Sequence, residues 1–438
     1  MKFRFCFAQA WLACLLPWTA PAQTSRLIYA VVVSRHGVRS PTAAPGQLRQ
    51  YSAAPWPEWG VEPGYLTPRG RKLMQLLGGY DATYFSGHAL LRAGQCAEAR
   101  RVYIWADGEQ RTLESARAVA EGLLPGCGLE VHSKGEGERD PLFNGIQFGK
   151  ADRAVALASV MGRIGGHPQE LRRQHRTAFE ALARVLGEPR PAWLDGETTV
   201  EGGKGDNLVD VAGPVRTAST IAENLLLEYL NGMKGKDLGW GRLDESNLRE
   251  IMTLHSAYAD LARRTPYIAR ARGSNLLSHV LESLRQAATG RTAAGALGRA
   301  GDALLYISGH DTNLSNLSGM LDLDWLLPGY AQSDTPPGGA LVFELWRAAG
   351  GQMGVRVYYR AQTPDQMREL KPLTPASPPA RAPLFIPGCG TAAEGYDCEW
   401  GRFERTVAAA IDPAFVETRR AAALGSLVPG RSLYVRPD

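Results

Sequence analysis

Three short stretches carry the side chains able to do chemistry: SRHGVRSPT at 34–42, ADGEQRT at 106–112 and GHDTN at 309–313. They offer Arg35, Arg39 and Arg111, two histidines, His36 and His310, and the carboxyl groups of Asp107 and Asp311. Guanidinium forks match the tetrahedral oxygens of a phosphate. An imidazole among arginines has a lowered pKa and stays neutral, hence nucleophilic, in mild acid. Attack on phosphorus gives a phosphohistidine and splits hydrolysis into two steps. Asp311 is placed to give the leaving alcohol its proton and then to activate water. The arginines stabilise the charge on the transferring group, so the chemistry calls for no metal and no other cofactor. Gly37 is expected to let the backbone approach the ligand, and Pro41 to fix the following turn.

Each stretch follows a predicted strand. LIYAVVV at 27–33 is a continuous apolar run and reads as a buried strand. RRVYIWADG at 100–108 and DALLYISGHD at 302–311 read likewise, and ligands of α/β sheets bind beyond the carboxyl ends of strands. Residues 38–66 form a long irregular loop. Thr67-Pro68 starts a helix expected to stop at Gly78-Gly79. EQRTLESARAVAEGLL at 109–124 has helical apolar spacing. From about 150 to 300 strand signals become scarce, and LRRQHRTAFEALARVLG, VRTASTIAENLLLEYLNG and NLLSHVLESLRQAATG read as helices. GGALVFELWR and GVRVYYRAQ return to strand, and KPLTPASPPARAP at 371–383 reads as an extended surface connection. The fold class is therefore α/β, a sheet core with helices on both faces plus a mostly α-helical cap. The expected division is 1–22 leader, 23–149 and 301–438 α/β domain, and 150–300 cap.

The leader reading rests on basic Lys2 and Arg4, the apolar stretch from Phe5 to Trp18, and Ala20-Pro21-Ala22 as a cleavage site. Pro17 and the shortness of the run argue against a membrane anchor. A periplasmic or secreted, monomeric enzyme with no membrane partner is expected. The formal net charge of +5 falls further once Lys2 and Arg4 are removed, which gives no support for nucleic acid binding. Cys96, Cys127, Cys389 and Cys398 remain of the six cysteines and read as disulfides with three possible pairings, the local one being simplest. Zinc is disfavoured by the lack of a CxxC pair.

RHGVRSPT with a later GHDTN resembles the signature pair of the histidine acid phosphatases, branch 2 of the histidine phosphatase superfamily, and looks closest to the bacterial periplasmic phytase and glucose-1-phosphatase group. LTPRG at 66–70, ADGEQRT, DPLFN at 140–144, LVFELWR at 341–347 and TPPGG at 335–339 are also similar to that group. The resemblance implies an α/β fold with a helical cap and a phosphomonoesterase acting on inositol or sugar phosphates. By it, His36 matches the nucleophile and Asp311 the proton donor. Arg35, Arg39, Arg111 and His310 match phosphate ligands, and Thr42 a residue lining the substrate site. Asp107 and Glu223 match acidic groups at the substrate rim. The family's disulfides favour the local cysteine pairing.

The sequence departs from several phytases where a lysine follows the first motif; here Ala43 and Ala44 stand there. HDTN in place of HDSN is more like the phytases than the glucose-1-phosphatases. The leading expectation is a phytase, with glucose-1-phosphatase or a broad acid phosphatase as the alternative. A phosphomutase is opposed by the leader and by RHGV in place of RHGE, and a pure binding protein needs neither His36 nor Asp311. The glycine-rich EGGKGD at 201–206 lacks P-loop spacing and reads as a loop at the cap.

Overall fold

The computed structural model describes residues 25–143 and 146–417. The expected leader and Asn144 of DPLFN lie outside the described residues. Among those described, no helix is long and apolar enough to cross a membrane.

Strand β1 (Arg26–Arg35) buries Val31 and Val33 on one face and Ala30 and Val32 on the other. A strand covered on both sides has no use for polar alternation, which explains its continuous apolar run. It lies inside an eight-stranded sheet. On one side it pairs in parallel with β6 (Leu304–Gly309), and β6 in parallel with β2 (Val102–Ala106), which pairs with the short β3 (Val131–His132). On the other side it pairs antiparallel with β7 (Ala340–Arg347), then β8 (Met353–Ala361). β9 (Ala380–Pro383) and β10 (Cys398–Glu399) both pair with β8. The Pro-rich segment at 371–383 thus ends in an edge strand.

After the short α1 (Pro45–Leu48), α2 (Pro68–Gly87) and α3 (Gln110–Leu123) cover one sheet face. α9 (Pro266–Thr289), α10 (Asp311–Leu321) and α12 (Trp400–Ala410) cover the other. Between residues 150 and 266 stand α4 (Arg153–Arg163), α5 (Pro168–Gln174), α6 (Arg176–Leu186), α7 (Pro214–Leu230) and α8 (Glu245–Ala262). They share a separate apolar cluster that includes Phe179, Leu225 and Ile251. A two-stranded hairpin, β4 (Thr199–Gly202) with β5 (Val209–Ala212), interrupts them, and EGGKGD ends β4 and enters its turn. α9 spans both regions: Ile268 and Ala271 pack into the helical cluster, Leu276 and Leu277 against the sheet. The short α11 (Pro364–Arg368) follows β8.

Two expectations are corrected. α2 does not stop at Gly78-Gly79 but runs on to Gly87. The glycines serve the contact with α3: a Cβ on Gly78 would lie 2.2 Å from the Val119 carbonyl oxygen, and one on Gly122 lies 2.0 Å from that of Gln75. Close helix packing therefore overrides the stop signal. Gly37 makes room for α2 rather than for a ligand, since its Cβ would meet Met74 Cγ at 2.8 Å and the Gly70 carbonyl at 3.0 Å. The disulfides join Cys96 to Cys127 and Cys389 to Cys398, the local pairing.

Candidate active site

Because β1, β6 and β2 are parallel neighbours, their carboxyl ends lie side by side, with Arg35 in register with Gly309 and Ala106 with Ser308. The chain stays tied as it leaves them. His36 N–H donates to the Gly309 carbonyl at 2.9 Å, Asp107 N–H to Ser308 at 3.1 Å, and Gly338 N–H to His36 at 3.0 Å. Three segments remote in sequence are thereby fixed around one cavity of about 720 Å³. His36, Arg39, Asp107, Arg111, His310 and Asp311 are among the residues that line it.

His36 is 2% exposed, and its Nδ1 lies 2.8 Å from the Gly37 carbonyl oxygen. A carbonyl can only accept, so Nδ1 carries the proton and Nε2 keeps its lone pair. Burial, and then the positive charges of Arg111, Arg35 and Arg39, hold its pKa well below that of ordinary histidine. The imidazole is therefore neutral in mild acid, the form able to act as a nucleophile.

The arginines are positioned from behind. Arg35 donates to the Thr335 carbonyl at 2.6 Å and to Glu223, while Arg39 donates to Glu223 Oε1 at 3.0 Å. Arg111 reaches Glu109 at 2.6 Å. The Nε groups of all three are buried without a hydrogen-bond partner among the described residues. Arg39 and Arg111 line the cavity, and guanidinium groups at that density suit an anion with several oxygens.

Glu223, on α7, is not at an exposed rim. It lies beneath the arginines with a side chain only 14% exposed. Burial pushes its pKa up, but Arg39 and Arg35 pull harder and hold it at about 2. Asp107 is fully buried as well: Oδ1 accepts from Gly108 N–H at 2.9 Å, and Oδ2 lies 2.6 Å from His310 Nε2. It orients His310 rather than meeting solvent. The His36 and His310 rings stand edge to face, 5.6 Å apart. Thr42 is exposed, and its Cγ2 and Arg111 Nη1 each lie 3.6 Å from where a Cβ on Gly64 would stand. Ala43 packs against the helical cluster.

Three arginines were not singled out in the sequence. Arg263, just past α8, contacts Asp311 Oδ2 at 2.5 Å. Arg272, on α9, lines the cavity, and its Nε has no hydrogen-bond partner among the described residues. Burial and then Arg263 lower its pKa. Arg139 also lines the cavity and pairs with Asp206 of the β4–β5 turn. No local pattern marks any of these; each is a charge on a helix or loop that becomes part of the site through long-range packing.

A sequence model of the histidine phosphatase superfamily (branch 2) matches residues 26–180 and 231–360. The chain is 35% identical over 424 residues to the phytase AppA of Escherichia coli (strain K12), covering 91% of this chain and 96% of that one. It is 26% identical to the glucose-1-phosphatase of Providencia rettgeri, covering 94% and 100%. Among solved structures, the Hafnia alvei phytase in complex with myo-inositol hexakis sulphate is 34% identical, with a TM-score of 0.81 over 91% of this chain and 100% of that one.

Proposed function

The chain belongs to branch 2 of the histidine phosphatase superfamily and is a histidine acid phosphatase, and on that premise we propose that it is a phytase working through a phosphohistidine at His36. The observation that carries the chemistry is the buried, neutral His36, its Nδ1 tied to the Gly37 carbonyl, among the charges of Arg111, Arg35 and Arg39. Arg35, Arg39, Arg111 and His310 hold the phosphoryl oxygens. His36 Nε2 attacks phosphorus, the bond to the ester oxygen breaks, and Asp311 protonates the departing oxygen. Water then attacks the phosphohistidine and gives its proton to Asp311. The phosphorus–nitrogen bond breaks, its electron pair returns to Nε2, and inorganic phosphate leaves. Arg35 and Arg39, pre-set by Glu223, stabilise the transferring group without reorganising.

Phytate as substrate is supported by the similarity to phytases and by the cations around the cavity. Arg272 and Arg139 offer charge to further phosphates where Ala43 supplies none. One observation favours glucose 1-phosphate as a second reading: Glu109, Glu136, Glu138 and Asp206 also line the cavity, and these acids disfavour a polyanion. The leader-like first 22 residues and the two disulfides support a place outside the cytoplasm.

The deciding assay is phosphate release at acid pH from phytate, glucose 1-phosphate and an aryl phosphate, with His36→Ala as control. Preference for phytate supports the first reading, and preference for the sugar phosphate the second. Full activity in His36→Ala sinks the phosphohistidine.

A further inference from the structure

A proton donor must be protonated to act, yet Asp311 sits in surroundings that favour its anion. It occupies the first turn of α10, where helix N–H groups favour negative charge. Its Oδ1 accepts from Thr312 N–H at 2.8 Å, and its Oδ2 is 2.5 Å from Arg263 Nη1. The ion pair is largely buried, with side chains 18% and 12% exposed. Both carboxyl oxygens therefore accept from donors in the free enzyme, an arrangement that favours the ionised form.

We propose that Arg263 is a positioning residue that clamps Asp311 as an oriented carboxylate in the empty site and so sets the pH above which the enzyme loses its general acid. The inference rests on Asp311 being the proton donor. The other groups that face Asp311 are His255 on α8, Arg35 and Arg39 at the end of β1, Glu223 on α7 and Tyr359 on β8. Arg35 and Arg39 already share Glu223, whereas Arg263 bonds Asp311 directly. Burial raises the Asp311 pKa, but Arg263, then Arg35 and His255, outweigh it and hold the group well below the usual carboxylate range. A phosphate dianion entering the arginines reverses the balance, because its charge disfavours a second anion beside it. Substrate itself thus returns the proton to Asp311. In the second step the clamp works the other way, favouring the carboxylate that must take a proton from water.

The test is the pH dependence of kcat/KM, which reports groups of the free enzyme. An alkyl phosphate, whose leaving oxygen needs a proton, is compared with an aryl phosphate, which needs it less. Removing an adjacent opposite charge moves a carboxyl pKa by about 1–3. Arg263→Gln is therefore expected to shift the alkaline limb upward by at least about one pH unit on the alkyl ester, with little change on the aryl ester. Arg263→Lys keeps the charge and should restore most of the wild-type limb. A uniform loss of rate with the limb unmoved would mean a merely structural role and overturns the proposal. If Arg263→Gln does not fold, the wild type is read directly by infrared titration of its carboxyl groups, with Asp311 assigned by its loss in Asp311→Asn. The signal should stay ionised below the ordinary aspartate value of about 3.9 and rise on adding inorganic phosphate. Titration at or above that value in the free enzyme refutes the clamp. The underlying reading fails separately, through wild type that releases no phosphate or Asp311→Asn that keeps full rate on the alkyl ester.

Discussion

Replacing Glu223 by Gln removes the one carboxylate that joins Arg35 and Arg39 beneath the cavity. Its pKa is held at about 2 against an ordinary 4.5. A drop of about 2.5, at about 1.36 kcal/mol each, corresponds to about 3 kcal/mol of stability from the charged form. Because the folded pKa is depressed, that stability is fully present above about pH 4.5 and is lost as pH falls through about 2. Gln keeps the size but leaves two buried guanidinium groups short of a partner, a loss of about 3–5 kcal/mol for a broken buried pair. Urea unfolding near pH 6 should find Glu223→Gln less stable than wild type by about 3 kcal/mol. Near pH 2.5 the same comparison should give about 1 kcal/mol, since the unfolded chain is by then protonated at this position and most of the contribution gained between about pH 2 and 4.5 is lost. Inorganic phosphate should narrow the gap near pH 6, as an anion that binds the folded state supplies the missing charge. A gap of equal size at both pH values, or none at either, refutes the electrostatic account.

Other outcomes follow from the same geometry. Gly122→Ala forces a Cβ against the Gln75 carbonyl and should cost about 1–3 kcal/mol, read as a lower urea midpoint; an unchanged midpoint means that α2 and α3 can part freely. Arg272→Gln should raise KM for phytate about tenfold, the worth of one charge-assisted hydrogen bond, while KM for glucose 1-phosphate moves less than about twofold. Equal shifts on both substrates would show that Arg272 does not meet a second phosphate.

The parts of the site legible in the sequence are those that ride on strand ends. RHGVR, ADGEQR and GHD each follow an apolar run, and parallel pairing of those runs is enough to bring them together. Asp107 and Glu223 were legible as acids near the substrate but not as buried partners of His310 and of Arg35 and Arg39. Burial of a carboxylate is decided by which guanidinium or imidazole reaches it from another element. Arg263 and Asp311 illustrate the limit: they stand 48 residues apart, one just past the end of α8 and one at the start of α10, and neither neighbourhood announces the other. The β4–β5 hairpin was missed for a similar reason. Its strands are four residues each, too short for alternation to stand out, and they are polar where they face water. Gly78 shows a true local signal losing to a neighbour, since the same residue that ends isolated helices also lets two of them touch.

The placement of β1 has a bearing on how the chain comes to exist as an enzyme at all. Both of its partners, β6 and β7, lie beyond residue 300, on the far side of the whole helical block. As the polypeptide emerges from its N-terminal end, the Val-rich strand that leads to His36 has no neighbour on either edge until more than half of the chain has followed it. An unpaired apolar strand is an aggregation hazard, and pairing of such distant segments is slow. Any fragment that stops short of Leu304 carries His36 but cannot build the floor on which His36 works, so activity arrives late and all at once, with the strand that brings His310 and Asp311.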